Sequence, residues 1–306
     1  MRSRLTALIA VVAFAAVTVA AGCGSSNNDS SSSSGGTLTA ASFTVQQDPS
    51  IASQVPADIK SSGELSVAAD ATYAPDEFIG SDGKTVIGMD ADLAKAIAQL
   101  MGLKATVANQ PFDSIIPGLD AGKYDLGMSS FTDTKDREKT VDFVTYATAG
   151  ESFIVKADGG PTINSIDDIC GLKVGAEEGT TEADDATAQS KKCTDAGKPA
   201  VSVSTFPDEN GVNLALSSGR VDAGFADTPV ADYAVKQSDG KFKLSPAPSI
   251  ANAPYGIAMA KDSGLQQPVL AAVKALMADG TYKQILDYWG VQSIAISNPT
   301  INGAID

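Results

Sequence analysis

Short apolar segments alternate with amphipathic ones along most of the chain from residue 58 onwards. Small and β-branched residues predict a strand over residues 63–69. Leu93, Ile97 and Leu100 recur at helical spacing, which predicts a helix over residues 90–100. A shorter helix over 112–119, closed by Ala121-Gly122, and a strand over 124–128 follow. This alternation is typical of an α/β protein with a mostly parallel sheet.

The same order of elements recurs in the second half of the chain. Strands are predicted over 171–176, 201–203 and 220–225, and helices over 180–192 and 213–216. The heptapeptide Gly122-Lys123-Tyr124-Asp125-Leu126-Gly127-Met128 agrees in residue type, position by position, with Gly219-Arg220-Val221-Asp222-Ala223-Gly224-Phe225. Because each follows a predicted helix, we interpret the chain as two lobes of one design.

The last predicted helices, over 267–278 and 281–289, need a surface on which to pack. The first lobe provides it if the chain crosses between the lobes twice, around Gly150 and Pro254, which makes a double hinge. We therefore predict lobe 1 from residues 58–150 and 254–306, and lobe 2 from residues 151–253. Weak patterning over 291–306 predicts a surface tail.

The amino terminus has the pattern of an export signal. Arg2 and Arg4 precede an apolar stretch that ends in Ala20-Ala21-Gly22-Cys23. This ending resembles the lipobox of bacterial lipoproteins, which implies a signal peptide over 1–22 and a lipid on Cys23 that holds the protein at the outer face of the membrane. A plain cleaved signal and an uncleaved anchor are the alternatives. The Ser-, Gly- and Asn-rich segment 23–57 is predicted to be a flexible tether.

The composition of the chain and the motifs that it lacks argue against several classes of function. The 306 residues carry a formal net charge of −15, which disfavours a nucleic-acid surface. The absence of histidine excludes histidine-based catalysis and histidine metal sites. No phosphate-binding glycine loop or calcium-loop spacing is present, so we predict no cofactor and no metal. Cys170 and Cys193 form an even pair in an exported protein and are predicted to form a disulfide; two buried thiols are the alternative.

Four polar segments follow predicted strands, at residues 70–73, 129–132, 177–181 and 227–228. Ligands of open parallel sheets bind beyond the carboxyl ends of the strands, so we expect a cleft lined by these segments. Only two arginines follow residue 22, Arg137 and Arg220. Arg137 is close to the second segment, and its planar fork suits a carboxylate. An exposed charge is the alternative for Arg137 and the preferred interpretation of Arg220.

Ordered motifs from residue 63 to residue 289 resemble the extracellular solute-binding proteins of ABC importers, of the polar amino acid type (family 3). The motifs are Asp70-Ala71-Thr72-Tyr73-Ala74-Pro75, Val86-Ile87-Gly88-Met89-Asp90-Ala91-Asp92-Leu93, Gly122-Lys123-Tyr124-Asp125, Arg137-Glu138-Lys139-Thr140-Val141-Asp142-Phe143, Lys173-Val174-Gly175 with Gly179-Thr180-Thr181, and Gly219-Arg220-Val221-Asp222-Ala223. The resemblance implies a two-lobe, periplasmic-binding-protein-like α/β fold with a ligand cleft between the lobes. It also implies a monomeric receptor, not an enzyme, that delivers an amino acid to an ABC permease and its ATPase.

The resemblance also implies ligand-binding roles for individual residues. Arg137 would hold the α-carboxylate together with Thr181 and the backbone after Gly179, and Asp227 would hold the α-ammonium group. Backbone N–H groups at the helix start after Thr180 suit a carboxylate independently. The complete predicted set is Asp70, Tyr73, Phe112, Ser129, Ser130, Thr132, Arg137, Thr180, Thr181 and Asp227.

Within that set, Ser130 and Thr132 would be further acceptors for the ammonium group. Tyr73 and Phe112 would hold the ligand side chain between two rings. Phe112 as a core residue, and Ser129 as a partner of backbone groups only, remain open alternatives.

The predicted pocket has more negative charge than a zwitterion requires. Asp76 stands where the family usually has an aromatic residue, and Glu177-Glu178 make the second-lobe loop acidic. With Asp70 and Glu177 in surplus, charge complementarity favours a basic amino acid such as arginine, ornithine or lysine, with glutamine second. A receptor that reports to a sensor protein, and a dehydratase of the same fold, are the alternative functions.

Overall fold

The computed structural model describes residues 41–305, and the predicted signal peptide and Cys23 lie outside them. Each helix and strand that the sequence predicts is present in the predicted order, and further strands and one further long helix lie between them. The strands are β1 (Glu64–Ala69), β2 (Thr72–Tyr73), β3 (Glu77–Ile79), β4 (Val86–Ile87), β5 (Lys104–Asn109), β6 (Leu126–Gly127), β7 (Val141–Lys156), β8 (Lys173–Glu177), β9 (Ser202–Phe206), β10 (Ala223–Asp227), β11 (Phe242–Leu244) and β12 (Ile250–Ala260). The helices are α1 (Pro49–Ala52), α2 (Ala57–Ser62), α3 (Met89–Met101), α4 (Phe112–Asp120), α5 (Thr181–Asp195), α6 (Glu209–Ser218), α7 (Thr228–Gln237), α8 (Gln266–Asp279) and α9 (Thr281–Trp289).

One mixed sheet runs through the described residues in the order β5-β1-β6-β12-β7-β10-β8-β9. The pairs at its two ends are parallel: β1 with β5 and β6, and β8 with β9 and β10. The central pair, β7 with β12, is antiparallel. The three short strands β2, β3 and β4 form a separate small sheet. Each end of the large sheet thus has the parallel arrangement predicted from the alternation of strands and helices.

The two central strands connect the ends of the sheet. The first part of β7 pairs with β12, and its last residues, from Glu151 on, pair with β10 and β11. The register of β12 shifts between Ile250 and Ala253, and again between Tyr255 and Gly256. Both predicted crossing points, Gly150 and Pro254, therefore lie within this two-stranded ribbon.

The buried apolar residues form separate clusters at the two ends of the sheet. The largest contains residues of β1, α3, α8 and α9, so the last helices pack on the first part of the chain. Two smaller clusters are built from residues 153–250 and include Phe153, Val174 and Leu216. These clusters support the predicted lobes, although the boundaries at 150/151 and 253/254 remain predictions.

The two long central strands, β7 and β12, were not predicted from the sequence, and both contain long buried runs. Nearly every residue of β7 is buried, so the alternation of polar and apolar positions that identifies a strand is absent. The interior half of β12, from Tyr255 to Met259, is buried in the same way. Helix α7 was also missed because it begins directly after β10, where the strand pattern dominates.

Both ends of the described chain are more ordered than predicted. Residues 41–57 belong to the predicted tether, but Ile51 and Val55 are buried against the main core, and Val45 N–H donates to Gln99 Oε1 at 2.9 Å. The predicted surface tail pairs with β7: Thr145 N–H donates to Thr300 O at 2.9 Å, and Phe143 N–H donates to Asn302 Oδ1 at 2.8 Å. A few apolar and amide side chains, too sparse to form a pattern, fix these segments.

The predicted disulfide between Cys170 and Cys193 is present, with the two Cα atoms 5.7 Å apart. It links the end of the 3₁₀ turn Ile166–Ile169 to α5. Within residues 41–305, no helix is long and apolar enough to cross a membrane. The same residues contain no group of three or more acidic or cysteine side chains placed to hold a metal ion.

Candidate functional site

A small cavity lies between the two ends of the sheet, where the carboxyl ends of β1, β8 and β10 meet. Its lining is mostly polar and charged, which suits a small polar ligand. The structure brings all ten predicted site residues to this cavity and adds Glu177 and Glu182. The lining residues are Asp70, Tyr73, Phe112, Ser129, Ser130, Thr132, Arg137, Glu177, Thr180, Thr181, Glu182 and Asp227.

Arg137 lies in a 3₁₀ turn before β7 and bridges the two sides of the cavity. Its Nη1 donates to Thr132 O at 2.8 Å, and its Nη2 donates to Gly179 O at 2.9 Å across the cavity. The guanidinium carbon also lies 5.4 Å from the ring centre of Phe112. Burial lowers the pKa of Arg137 from its very high usual value, so the group stays cationic at neutral pH. Contacts with protein groups alone therefore fix its position.

Asp227, the last residue of β10, is held by Tyr73 from the other side of the cavity. The Tyr73 hydroxyl donates to Asp227 Oδ2 at 3.1 Å and accepts from Asp227 N–H at 3.0 Å. Burial raises the pKa of Asp227 well above its usual range, and the nearby Glu182 carboxylate adds to this effect. A bound ammonium group would reverse this effect, because it stabilises the ionised carboxylate.

Asp70 follows β1 and is oriented by three hydrogen bonds. Oδ1 accepts from the Thr72 hydroxyl at 2.7 Å and from Thr72 N–H at 3.1 Å, and Oδ2 accepts from Phe112 N–H at 3.2 Å. Burial still raises the pKa of Asp70, because no basic side chain opposes the desolvation. Asp70 is therefore a fixed acceptor on the wall of the cavity.

Ser129 and Ser130 connect the cavity to a layer of carboxyl groups beneath it. Ser129 Oγ donates to Glu77 Oε1 at 2.8 Å and accepts from Asp70 N–H at 2.9 Å. Ser130 Oγ donates to Asp76 Oδ2 at 3.0 Å. The hydroxyls of both serines therefore have protein partners already.

Asp76, the acidic departure from the family pattern, is absent from the cavity lining and fully buried. Together with Glu77 and Asp90 it forms the carboxyl layer under the two serines. Burial raises the pKa of Asp90 to about 6, and raises those of Asp76 and Glu77 well above their usual values. The Asp90 charge adds to the rise for Asp76 and Glu77. Asp76 therefore adds no fixed negative charge to the cavity wall.

Helix α5 points its first turn at the cavity from the second half of the chain. Thr180 caps this helix: its hydroxyl accepts from Ala183 N–H at 3.3 Å and donates to Glu177 O at 2.8 Å. Thr181 Oγ1 lies 3.4 Å from Thr132 Oγ1 across the cavity. A helix amino terminus favours a negatively charged group, so the carboxylate of a ligand is favoured at this end, beside Arg137.

Tyr73 and Phe112, the two residues whose rings are predicted to hold the ligand side chain, have different surroundings. Phe112 stacks on Phe131 with ring centres 4.5 Å apart. The Tyr73 ring is buried, and its hydroxyl is engaged by Asp227. Both rings line the cavity. That they hold a ligand side chain between them stays a prediction.

Glu177 and Glu182 line the cavity but were not in the predicted set. Neither side-chain oxygen of Glu177 has a hydrogen-bond partner, although the residue is only 2% exposed. Burial raises its pKa to about 10, and the charges of Asp70 and Glu209 add to the rise. Glu177 is the last residue of β8, and strand ends were the signal that selected this loop. Glu182 was missed because an acidic residue in a first helical turn usually serves the helix dipole.

A family model for bacterial extracellular solute-binding proteins, family 3, matches residues 65–292. The chain belongs to this family. Arginine-binding protein ArgT of Corynebacterium glutamicum is 32% identical to this solute-binding protein over 255 residues, which is 83% of each chain. The predicted family is therefore confirmed.

Solved structures of binding proteins share the fold. A structure of an ancestral arginine-binding protein bound to arginine is 37% identical, with a TM-score of 0.68, and covers 74% of this chain and 98% of its own. The ancestral amino acid-binding protein AncCDT-1, a precursor of cyclohexadienyl dehydratase, is 34% identical with a TM-score of 0.65, and covers 76% of this chain and 97% of its own. The two-lobe fold predicted for this solute-binding protein is therefore confirmed.

Proposed function

We propose that this solute-binding protein is a receptor for a basic L-amino acid, with arginine preferred among the basic amino acids and glutamine a weaker, neutral alternative to that class. The observation that carries this proposal is Glu177, which presents two buried carboxyl oxygens without partners to the cavity. A buried acceptor without a partner is costly, and a buried carboxylate more so. A cationic ligand side chain with several N–H donors satisfies both oxygens at once.

The other residues that line the cavity support recognition of the α-carboxylate and α-ammonium groups of an amino acid. Arg137 and the first turn of α5 provide positive charge and N–H donors for a carboxylate, with Thr181 beside them. Asp227 provides an acceptor for the ammonium group, with Ser130 and Thr132 close by. The two charges match a zwitterion, which leaves Asp70 and Glu177 for the side chain.

Arginine is favoured over lysine because of the number of acceptors. The guanidinium group has five N–H donors in a planar fork, whereas the ammonium group of lysine has three at one point. Asp70 and Glu177 together present four oxygens, two of which have no partner in the protein. The relatives named above as arginine-binding proteins support the same choice.

Contacts across the cavity support a receptor that closes around its ligand. Arg137 reaches Gly179, and Tyr73 reaches Asp227, each by a hydrogen bond between predicted lobe 1 and predicted lobe 2. A ligand that bridges both lobes shifts the population towards the closed form. We propose that the closed form, monomeric and held at the membrane by a lipid on Cys23, delivers the amino acid to an ABC permease and its ATPase.

Catalysis and signalling are less well supported. Arg137 and Asp227 are held by Gly179 and Tyr73, which suits a fixed clamp. The dehydratase descent of one structural relative concerns that protein, and no observation in this chain favours catalysis over binding. A receptor that reports to a sensor protein would have the same site.

The test is a thermal-shift series on ligand-stripped protein with each proteinogenic amino acid, ornithine and citrulline. A ligand that binds only the native state raises the melting temperature by mass action. We expect the largest shift with arginine, smaller ones with ornithine and lysine, and a small one with glutamine. Shifts with neutral or acidic amino acids alone would contradict the proposal, and the absence of any shift would contradict the receptor function itself.

A further inference from the structure

A second concave site lies where β2 meets α6 and α7, and we call it the seam groove. It measures about 250 Å³ and is lined by Thr72 and Ala74 on one side, and by residues 209–242 on the other. The groove shares no lining residue with the amino acid cavity. It therefore has its own set of polar and apolar groups.

The polar groups of the seam groove include acceptors without partners. Glu209 lines the groove and is only 1% exposed; its Oε1 accepts from Asn213 Nδ2 at 3.2 Å, whereas its Oε2 has no partner. Asn213 Oδ1 is also buried and without a partner. No lysine or arginine lines the groove. Two adjacent side chains that line the groove thus have unsatisfied oxygens, one of them on a carboxyl group.

The remaining wall of the groove is mostly apolar. Val230 and Ala234 lie one turn apart on α7, and Phe242 follows on β11. The aromatic ring of Tyr233 lies on the same wall and reaches Phe78, with ring centres 6.3 Å apart. An apolar wall beside a buried acidic group suits an occupant that has an apolar body and a positively charged end.

We propose that the seam groove binds a small organic cation, an amidinium, guanidinium or protonated amine carried on an apolar body. Its N–H donors would satisfy Glu209 Oε2 and Asn213 Oδ1, and its charge would compensate the buried carboxylate. Its apolar body would cover Val230, Ala234 and Phe242. Burial raises the pKa of Glu209 well above its usual range, which agrees with a carboxyl group that lacks its cationic partner.

The seam groove is also linked to the amino acid cavity by a short chain of hydrogen bonds. Glu209 N–H donates to Thr72 Oγ1 at 3.2 Å, and the same hydroxyl donates to Asp70 Oδ1 at 2.7 Å. A ligand in the seam groove would therefore lie next to Thr72, whose hydroxyl orients Asp70 on the cavity wall.

The experiment is a titration of the protein with benzamidine, with L-arginine present at saturation, followed by methyl NMR. We expect saturable shifts of the Val230 and Ala234 methyl signals, while the methyl signals of Thr180 and Thr181 in the cavity stay in place. Because the readout is local, the same titration without arginine tests the groove even if the amino acid proposal fails. Shifts confined to the cavity methyl groups, or none at all, would overturn the seam groove proposal.

Matched variants separate the groove from general charge effects. Glu209→Gln keeps the shape and removes the charge, so benzamidine affinity should fall about ten- to a hundredfold. Glu64→Gln, an exposed position at the start of β1, should bind benzamidine like the wild type. Ala234→Leu fills the groove and should abolish the titration, while the arginine affinity is retained. Equal benzamidine affinity in Glu209→Gln and the wild type would contradict the proposal.

Discussion

At the scale of single residues, the acidic side chains that line the cavity differ in their hydrogen-bond partners. Asp227 has the Tyr73 hydroxyl, and Asp70 has Thr72 and the Phe112 N–H, but Glu177 has no partner for either oxygen. Desolvation is most costly for an acceptor of this kind. The selectivity for a cationic side chain should therefore depend on Glu177 more than on the better-satisfied acids.

Glu177→Gln should separate basic from neutral ligands. We expect arginine affinity to fall at least about tenfold, because a charge-assisted hydrogen bond is replaced by a neutral one, with glutamine affinity changed less than about threefold. The measurement is titration calorimetry with both amino acids. Glu178→Gln, at the exposed neighbouring position, is the matched control and should match the wild type. Equal losses for arginine and glutamine would show that Glu177 does not select the side chain.

Arg137 is expected to be required for binding but not for folding. Arg137→Ala should abolish amino acid binding, because the fork that faces the ligand carboxylate is lost, while the ligand-free melting temperature falls by only a few degrees. Arg137→Lys keeps the charge without the fork and should bind weakly. Normal arginine affinity in Arg137→Ala would place the carboxylate elsewhere in the cavity.

The positions of these residues were largely predictable, but their energetics were not. The rule that ligands lie beyond strand ends selected the four loops, and the family resemblance selected residues within them; all ten line one cavity. What the sequence could not show is which acids are satisfied by neighbours. Asp76 accepts a hydrogen bond from Ser130 within the buried carboxyl layer, whereas Glu177 lines the cavity with both oxygens unpartnered, and that difference depends on tertiary contacts alone.

At the scale of elements, the ribbon of β7 and β12 is the part of the fold that sequence patterns describe least. Most residues of β7, and those of β12 from Tyr255 to Met259, are buried on both faces, so a period of two residues does not develop. The two-lobe interpretation nevertheless placed its predicted crossing points, Gly150 and Pro254, inside this ribbon. Gly150 lies there, and a Cβ atom at this position would come within 2.4 Å of Ser249 Oγ and 2.5 Å of Ile250 O.

Gly150→Ala should therefore strain the ribbon. The added methyl group meets backbone as well as side-chain atoms, and overpacking of this kind costs about 1–3 kcal/mol. We expect a lower free energy of unfolding by denaturant titration, and a weaker arginine affinity because the closed arrangement is displaced. Thr148→Ala, at an exposed position on the same strand, is the control and should have little effect. Unchanged stability in Gly150→Ala would show that the ribbon adjusts at this point.

At the scale of the whole molecule, the described residues bury many more carboxyl groups than cations. Burial, assisted by neighbouring carboxylates, raises the pKa of Glu151 and Glu177 to about 10, and burial is the first cause of the rise to about 7 for Glu182 and Asp133. In the unfolded chain the same groups ionise near pH 4. The native protein therefore holds more protons than the unfolded chain between about pH 5 and pH 8.

This difference sets the sign of the pH dependence. A carboxyl group whose pKa is raised by folding stabilises the native state fully below its unfolded pKa, and this contribution is lost as the pH rises towards the folded pKa. The melting temperature of the ligand-free protein should fall steadily from pH 5 to pH 8, as measured by calorimetry. Saturating arginine should make the fall shallower, because the cation stabilises the ionised form of Glu177, and Glu177→Gln should make it shallower without ligand. A melting temperature that is constant or rises over this range would contradict the view that the buried acids await a cationic partner.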